Sequence, residues 1–396
     1  MFSSRLPPSL APNALTRAMQ DLRESGASWI DLTETNPTAV GLEYPADVLH
    51  ALADPRARRY SPEALGLPVA REAIAGEYAR RGRLVSPDRV VVTASTSDAY
   101  SMLFKLVCDP GDAVLVPQPS YPLFNLLAGL EAAALRPYQL LDDDGWSIDR
   151  RSVLEAMTPA VRAVVVVSPN NPTGSILRRA DWDWLAGECA SRDVALIVDE
   201  VFADYPLAPH PIEGLPLADH PRGARNEACL TFALGGLSKS AGLPQVKLGW
   251  IAVGGPDARV VESLRRLEMI CDTYLSVSTP VQLAVPALVH AGATIRAAIQ
   301  TRVMRNLAAL REKLRARPEL TLVEPEAGWS AVWQVPAIES EESLALRLLT
   351  RSHVLVHPGY FFDFSREAFL VTSLLPVPQV FDDGIGRVLG AIGPGH

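Results

Sequence analysis

The sequence contains little cysteine, little histidine and no excess of positive charge. Its 396 residues include 4 cysteines and 7 histidines, with no C-x-x-C pair and no zinc-ligand spacing. We therefore expect no metal site and interpret Cys108, Cys189, Cys229 and Cys271 as small buried apolar residues. The 37 Lys and Arg are outnumbered by 45 Asp and Glu, which gives a net charge of -8. This balance disfavours a nucleic-acid partner, because phosphate backbones are bound by clustered basic residues.

Long apolar runs and secretory signals are also lacking. No stretch reaches the roughly 18 uninterrupted apolar residues of a membrane-spanning helix. The apolar run at residues 163–167 has the length of a strand instead. The N-terminal 17 residues contain three prolines and no apolar segment typical of a secretory signal. We therefore expect a soluble cytoplasmic protein that has no membrane partner.

Four common catalytic signatures are missing. The sequence contains no G-x-G-x-x-G after a strand, no G-x-x-x-x-G-K-[ST], no G-x-S-x-G and no H-E-x-x-H. These absences disfavour the usual dinucleotide-binding, P-loop, serine-hydrolase and zinc-protease sites.

Apolar periodicity predicts a large α/β domain. Between about residues 88 and 255, short runs of Val, Ile and Ala alternate with segments of helical period, which is typical of a mostly parallel sheet covered by helices on both faces. The predicted strands are residues 89–93, 113–116, 163–167, 194–199, 229–234 and 247–253, and the predicted helices are residues 97–107 and 181–192.

A smaller α+β domain is expected to follow, because 396 residues exceed what one hydrophobic core usually serves. Residues 294–317 carry one apolar stripe and predict a long amphipathic helix. Beyond it we predict strands at 331–335, 353–357 and 369–374 and helices at 343–350 and 380–392. The expected division is an N-terminal arm (1–45) that packs on the small domain or a partner subunit, a large domain (46–290), and a connecting helix with a small C-terminal domain (291–396).

Polar loops follow several predicted strands, at the edge of an open α/β sheet where ligands bind. Ser95, Thr96 and Ser97 precede a helix, whose free N–H groups together with the three hydroxyls suit a phosphate, although helix capping alone also explains these residues. Asn171 lies in a loop bracketed by prolines, which either holds the amide against a ligand or is simply a rigid turn.

Two charged residues stand out in the same set of loops. Asp199 ends an apolar strand, where a carboxylate is costly unless it meets a cation or a hydrogen-bond donor. We expect a specific partner for it, with a structural Arg as the alternative to a ligand. Lys239 lies among small residues after the strand at 229–234, which leaves space for a group attached to its amine, and Lys247 follows eight residues later.

In order and approximate spacing, these segments resemble the fold-type I pyridoxal-phosphate (PLP) enzymes, specifically the class I/II aminotransferases. The resemblance covers nearly the whole chain. Its marks are Tyr60-Ser61-Pro62, Ser95-Thr96-Ser97, Pro119-Ser120-Tyr121-Pro122, Asn170-Asn171-Pro172-Thr173-Gly174, Asp199-Glu200-Val201-Phe202, Ser238-Lys239 and His357-Pro358-Gly359.

The resemblance implies an enzyme that moves an amino group between an amino acid and a 2-oxo acid. Lys239 is then the catalytic residue, which forms the internal aldimine with PLP and moves the proton at the substrate Cα. Asp199 keeps the ring nitrogen protonated, and Asn171 donates to the ring 3-oxygen. The other implied cofactor contacts are Tyr121 on the ring face and Ser95, Thr96, Ser97, Ser238 and Lys247 around the phosphate. Tyr60 is implied to reach the phosphate of the neighbouring subunit, in a homodimer with shared active sites.

Three positions depart from the family pattern. Lys247 replaces an Arg that clamps the phosphate, which keeps the charge but loses the bidentate fork. Phe202 replaces a Tyr that donates to the ring 3-oxygen. Val371 stands where an Arg that binds the substrate α-carboxylate is expected, and no Arg lies between Glu367 and Ile385.

The third departure bears directly on function, because a bidentate Arg is a large part of how such enzymes orient an amino acid. Either another cation binds the carboxylate, or the substrate presents none there. The alternative function is therefore a PLP-dependent lyase, decarboxylase or oxidase of the same fold. A non-catalytic regulator that retains the fold is a third possibility.

Overall fold

The structure is a computed structural model that describes residues 2–142, 145–207 and 228–392. Its α-helices are α1 (Ala14–Glu24), α2 (Pro68–Arg80), α3 (Thr96–Val107), α4 (Phe124–Leu130), α5 (Arg150–Ala156), α6 (Arg179–Arg192), α7 (Leu237–Ser240), α8 (Asp257–Tyr274), α9 (Thr279–Arg315), α10 (Glu341–Ser352) and α11 (Pro378–Ala391). Its strands are β1 (Ile30–Asp31), β2 (Val90–Thr93), β3 (Ala113–Gln118), β4 (Ala134–Asp142), β5 (Trp146–Ile148), β6 (Val161–Val167), β7 (Ala195–Asp199), β8 (Thr231–Gly236), β9 (Gly249–Gly254), β10 (Thr321–Val323), β11 (Ser330–Gln334), β12 (Val354–Leu355), β13 (His357–Pro358) and β14 (Phe369–Ser373).

An eight-stranded sheet in the order β2-β9-β8-β7-β6-β3-β4-β5 forms the centre of the larger region. The five strands from β8 to β4 in that order are parallel, while β9 runs antiparallel to both neighbours and β5 runs antiparallel to β4. Separate apolar clusters that include residues of α3 and α8 on one side and α6 on the other cover the sheet. This explains why β7 is apolar along its whole length up to Asp199. The predicted α/β class, with a mostly parallel and doubly covered sheet, is confirmed.

The six predicted central strands are all present, with shifted ends, and β4 and β5 add to the edge of the sheet. Strand β4 is mostly exposed or half-buried and contains Pro137, so it lacks the continuous apolar run that marks the buried strands. The predicted start of the last central strand at Lys247 is wrong. Strand β9 begins at Gly249, because Lys247 has a φ of 59°, in the left-handed region that an extended strand excludes.

The C-terminal region is a smaller α+β unit. Its antiparallel sheet has the order β10-β11-β14-β13, and α10 and α11 pack beside it. The N-terminal segment lies against this region in its own chain: β1 pairs with β12, and Leu15 of α1 packs on Ala345 and Leu349 of α10. The division into residues 1–45, 46–290 and 291–396 stays a prediction.

Helix α9 connects the two regions and begins at Thr279, well before the predicted start at 294. Prolines at the first turn and at Pro286 obscure the beginning of the helix in the sequence, because proline usually ends or kinks a helix. The predicted domain boundary after residue 290 therefore falls inside a helix. Among the described residues, α9 is also the one helix long and apolar enough to span a membrane, but a core helix passes the same test. Its apolar stripe, which includes Leu288, Ile295 and Ile299, is buried in the main core.

Candidate active site

A cavity of about 230 Å³ lies at the carboxyl ends of β6, β7 and β8. Eight of the ten predicted site residues line it, and they are Ser95, Thr96, Ser97, Tyr121, Asn171, Asp199, Ser238 and Lys239. The lining also contains residues that the sequence did not single out, including Thr35, Tyr100, Trp329 and Ser330. The fold thus brings together predicted site residues that lie far apart in the sequence, the most distant being Ser95 and Lys239, which are 144 positions apart.

The turn before α3 provides a site for an anion at one end of the cavity. The Ser95 hydroxyl caps the helix by accepting from the Asp98 N–H at 3.0 Å, so the capping explanation holds for this residue. Thr96 and Ser97 line the cavity, and their hydroxyls make no hydrogen bond to any described residue. Because N–H groups in the first turn of a helix have no intrahelical partner, this turn offers amides and hydroxyls to a phosphate.

Close packing against β9 holds this turn in place. A Cβ added at Gly249 would lie 2.8 Å from the carbonyl carbon of Ser95 and 3.0 Å from the Thr96 nitrogen. No side chain fits between the strand and the turn, so a glycine is required there.

Asp199 is a buried carboxylate at the base of the cavity. Its Oδ1 accepts from the Val201 N–H at 3.1 Å, and its Oδ2 accepts from the Tyr100 hydroxyl at 3.0 Å. Burial raises the pKa of Asp199 to about 6, although both hydrogen bonds and the charge of Lys239 lower it. The carboxylate therefore remains a favourable site for a further cation.

Among the described residues, the side-chain partner of Asp199 is thus Tyr100 rather than the Arg of the structural alternative, and the ring nitrogen as its partner stays a prediction. Within the described ranges, the nearby Arg83 pairs with Glu200 at 2.6 Å instead, and both of these side chains are buried. The pairing with Glu200 leaves Asp199 without a structural counter-ion from this arginine.

Lys239 lies in the short helix α7, which directly follows β8. Its Nζ is 4.7 Å from the centre of the Trp329 ring and 5.5 Å from that of the Phe202 ring. Burial lowers the pKa of Lys239 to about 8, against the opposing effect of Asp199. A buried amine that deprotonates near this pH is suited to attack a carbonyl carbon and to move protons.

The backbone around Lys239 is fixed by its neighbours. The Tyr205 hydroxyl donates to the Lys239 carbonyl oxygen at 2.5 Å, and the Ser240 hydroxyl donates to the Gly236 carbonyl at 2.9 Å. A Cβ at Gly235 would lie 2.6 Å from the Trp250 ring, so the chain that leads into α7 passes too close to this ring for a larger residue.

The loop that carries Asn171 is also rigid. The Asn170 N–H donates to the Ser175 carbonyl at 2.8 Å, and the Gly174 N–H donates to the Asn170 carbonyl at 2.9 Å. Gly174 has a φ of 70°, and a Cβ there would lie 2.5 Å from the Ala327 carbonyl oxygen. The loop therefore holds Asn171 at the cavity wall with little freedom.

Three aromatic residues complete the wall. Tyr121 is half-buried and packs edge-on against Phe124, with ring centres 6.0 Å apart. Phe202 and Trp329 pack edge-on at 5.3 Å, beside the Lys239 amine. These rings form apolar surfaces against which a flat ring can pack.

Two predicted cofactor residues are not brought into this cavity. Lys247 is exposed and does not line it, and Tyr60 is 67% exposed and lies outside the lining. The predicted contacts of both residues with a phosphate stay predictions, and for Tyr60 the predicted contact is with a second subunit.

Val371 is buried in β14, opposite Val332 of β11. Residues directly opposite each other share a face of the sheet, and Ser330, two residues before Val332, lines the cavity. Val371 therefore lies on the cavity-facing side, in an apolar cluster with Trp146 and Phe362. Among the described residues that line the cavity, Lys239 is the only one with a cationic side chain.

The donor set fits one kind of small molecule. It provides an anion site at α3, a buried carboxylate for a protonated ring nitrogen, aromatic surfaces for a flat ring, and an amine for a carbonyl group.

Comparison with known proteins agrees with this donor set. The family model described as aminotransferase class I and II matches residues 27–374. The chain is 26% identical to the glutamate-pyruvate aminotransferase AlaA of Haemophilus influenzae, over 91% of this chain and 89% of that protein. It is similarly 26% identical to the alanine aminotransferase of Mycobacterium tuberculosis, over 90% of this chain and 83% of that protein.

Two solved structures have the same fold. The alanine aminotransferase of Pyrococcus furiosus superimposes with a TM-score of 0.88 at 21% identity, over 99% of both chains. A double mutant of the Thermus thermophilus aspartate aminotransferase superimposes with a TM-score of 0.83 at 25% identity, over 98% of this chain and 100% of that chain.

Proposed function

The chain belongs to the class I and II aminotransferases and acts by PLP-dependent transamination, and from this premise we propose which of its residues perform the reaction. The fold-type I architecture and the PLP dependence that the sequence resemblance implies are thereby confirmed. The substrates are, at the level of the family, an amino acid and a 2-oxo acid.

One observation carries the assignment of roles. A buried carboxylate whose pKa is raised to about 6 and a buried amine whose pKa is lowered to about 8 line the same cavity. Groups with pKa values shifted in this way cluster at catalytic sites. Burying an ionisable side chain destabilises the fold, so such burial is retained mainly where a ligand or a reaction needs it.

When bound, PLP supplies a reactive carbonyl and a ring that withdraws electrons from the substrate Cα. Lys239 would hold the cofactor through its amine, and once a substrate amine takes that place its freed Nζ would accept the proton that leaves the substrate Cα. Asp199 binds the protonated ring nitrogen, and Asn171 donates to the ring 3-oxygen. Tyr121 covers one face of the ring.

The phosphate contacts come from the turn before α3. The hydroxyls and first-turn N–H groups of Thr96 and Ser97 bind the phosphate directly, and Ser95 holds the turn in shape by capping the helix. Ser238 and Lys247 add the contacts implied by the resemblance. Phe202 offers no hydroxyl to the ring 3-oxygen, so Asn171 is the proposed side-chain donor there.

A homodimer with shared active sites is part of this proposal. Tyr60 is exposed and lies outside the cavity of its own chain, which supports a role at the phosphate of a second subunit. Large exposed apolar side chains near the end of α8, namely Met269, Tyr274 and Leu275, support burial of that surface by another chain.

We place the enzyme in the cytoplasm. Cys108, Cys189 and Cys271 are free thiols, and Cys189 and Cys271 are buried. Unpaired thiols are typical of a reducing compartment, which supports this location.

An exchange assay tests the proposed function. The purified protein with PLP is incubated with a panel of amino acids and either pyruvate or 2-oxoglutarate, and the new amino acid is identified by mass spectrometry. We expect alanine or glutamate to form only when donor and acceptor are both present. Repeated turnover of a donor in the absence of any acceptor would contradict transamination and favour the lyase or decarboxylase alternative. That alternative was raised because Val371 stands where an Arg for the substrate α-carboxylate is expected.

A further inference from the structure

Tyr100 supplies the only side-chain hydrogen bond that Asp199 accepts from the described residues. Its hydroxyl donates to Oδ2 at 3.0 Å, while Oδ1 accepts from the Val201 backbone at 3.1 Å. Tyr100 is only 1% exposed and lines the same cavity. The bond links residues 99 positions apart, one in the first turns of α3 and the other at the end of β7.

The tyrosine ring is held in place by packing. Its ring centre lies 5.9 Å from that of Phe104 and 5.4 Å from that of Phe124, which meets it edge-on. Tyr100 also lies one turn beyond Thr96 on α3. The helix that presents the phosphate site therefore also fixes the donor to the carboxylate.

We propose that Tyr100 is a positioning residue that keeps Asp199 ionised and aims it at the ring nitrogen of the cofactor. This inference rests on the proposed role of Asp199. A carboxylate oxygen has two lone pairs, so each oxygen of Asp199 can accept one further hydrogen bond after those from Tyr100 and Val201. A fixed neutral donor stabilises the charged form of the carboxylate without itself supplying a competing cation.

The groups around Asp199 act on its ionisation in opposite directions. Burial and the charge of the adjacent Glu200 raise its pKa, whereas the hydrogen bonds from Val201 and Tyr100 and the charge of Lys239 lower it. Tyr121 lines the same cavity, and its pKa is raised by burial and, secondarily, by the charge of Asp199. Removing the Tyr100 hydroxyl takes away one of the stabilising contacts, so Asp199 would become protonated at a higher pH.

The test measures cofactor affinity rather than turnover. Apoprotein is prepared from the wild type and from Tyr100→Phe, and the Kd for PLP is measured by fluorescence quenching between pH 5 and pH 9. This range of about two units on either side of neutrality includes the pH at which Asp199 is expected to titrate. Tyr138→Phe is the matched control, because its hydroxyl is equally buried and donates at 3.0 Å to the Val165 carbonyl, outside the cavity lining.

We expect the pH below which PLP affinity falls to move upward by about one unit in Tyr100→Phe, since a hydrogen bond to a charged group is comparable in size to a one-unit pKa change. Tyr138→Phe should leave the wild-type profile unchanged. The affinity for the carbon analogue of PLP, in which CH replaces the ring nitrogen, should not change in Tyr100→Phe, because this analogue has no ring N–H for Asp199 to bind.

Two results would overturn the inference. One is a pH profile of Tyr100→Phe that coincides with those of the wild type and Tyr138→Phe. The other is an equal loss of affinity for PLP and for the carbon analogue, which would indicate that Tyr100 only shapes the cavity. Asp199→Asn separates this failure from that of the proposed function. If Asp199→Asn leaves PLP affinity intact, the role of Asp199 itself is wrong, whereas a loss in Asp199→Asn with none in Tyr100→Phe rejects Tyr100 alone.

Discussion

Burial perturbs Asp199 and Lys239 in opposite directions, and in both cases it disfavours the charged form. It raises the pKa of the carboxyl to about 6 and lowers that of the amine to about 8. In the proposed function, a cofactor with a protonated ring nitrogen would provide a counter-ion for the carboxylate, and its carbonyl group would react with the neutral amine. Desolvation thus makes the largest contribution to the pKa shifts of Asp199 and Lys239, and hydrogen bonds such as that from Tyr100 change the pKa of Asp199 further.

The lowered pKa of Lys239 gives the first prediction. Only the neutral amine attacks a carbonyl, so the rate at which apoprotein captures PLP should rise with pH, be half-maximal near pH 8 and level off about one unit higher. An ordinary lysine, with a pKa of 10.5, would give a rate that keeps rising well above that pH. Stopped-flow absorbance over a pH series measures the rate. A steep rise that continues beyond about pH 10, roughly two units above the expected midpoint, would show that burial does not lower the pKa of this amine.

The second prediction concerns the carboxylate of the substrate. Val371 is on the cavity-facing side of β14, so Val371→Arg should place a guanidinium where it can meet an α-carboxylate. We expect the KM for the active amino donor to fall about tenfold, the size of a charge-assisted hydrogen bond, with some loss of thermal stability because Val371 is buried in an apolar cluster.

Val371→Met is the control for this change, because it fills the space without adding charge. Its KM should remain near that of the wild type. If the arginine variant shows no gain with any amino acid, the substrate carboxylate is bound elsewhere or is absent.

The sequence predicted about half of the lining residues but not how they contact one another. Ser95, Asn171, Asp199 and Lys239 could be found because each follows an apolar strand, where a polar residue is conspicuous. Tyr100 could not, because an aromatic residue in an amphipathic helix is usually core, and its contact with Asp199 depends on how α3 lies across the sheet. Trp329 was missed for a similar reason, since its place beside Lys239 depends on the packing of the C-terminal region.

At the scale of elements, strand ends and one long helix place the site. Strands β6, β7 and β8 lie side by side and in parallel, so the loops that follow them meet at one edge. Helix α9 packs against the segment that follows α7. A Cβ added at Gly242 in this segment would lie 2.6 Å from Ile295 and 3.0 Å from Ile299 of α9. The segment after Lys239 is thus packed tightly on the helix.

The third prediction tests this support. Ile299 is fully buried, so Ile299→Ala should lower the free energy of unfolding by about 3 kcal/mol through lost contacts and a residual cavity. Met304 lies on the same helix and is 51% exposed, so Met304→Ala should change it by less than about 0.5 kcal/mol. Urea denaturation of both variants provides the values. Equal stabilities for the two would mean that α9 does not support the core as described.

The elements were predictable where the pattern was strong. Fully buried strands such as β6 and β7 give continuous apolar runs, and these were found. Strands β4 and β5, at one end of the sheet, were missed, because β4 has mostly exposed or half-buried residues and a proline and β5 is only three residues long. The beginning of α9 was missed because of its prolines, although the packing of the helix in the core keeps it continuous through Pro286.

At the scale of the whole molecule, the fold and its class of chemistry could be predicted from the sequence, whereas the assembly could not be derived from a single chain. Tyr60 is exposed, and Lys247 lies outside the cavity lining. What these residues contact depends on a second subunit or on the bound cofactor, and neither is encoded in a local pattern. The domain boundaries likewise stay predictions, since α9 continues through the expected one.

The fourth prediction tests the shared site by complementation. In a homodimer where Tyr60 serves the neighbouring site, Lys239→Ala and Tyr60→Ala should each be impaired at limiting PLP. Co-expressed in equal amounts, they should recover about a quarter of wild-type activity, because half of the dimers are hybrids and each hybrid has one intact site. Activity assays of the unfractionated co-expressed protein measure this recovery, and differently tagged hybrids isolated from it should reach about half of wild-type activity. Hybrids no more active than the two parent variants would exclude a site completed by Tyr60 of the other subunit.

The central claim is that Lys239 performs transamination, and single-turnover stoichiometry tests it most directly. The PLP-loaded protein is mixed with an active amino donor and no acceptor, and the 2-oxo acid released per cofactor site is counted. We predict one equivalent for the wild type, because the amino group stays on the cofactor until an acceptor arrives, and none above background for Lys239→Ala. Many equivalents from the wild type, or equal release by the variant, would contradict the account.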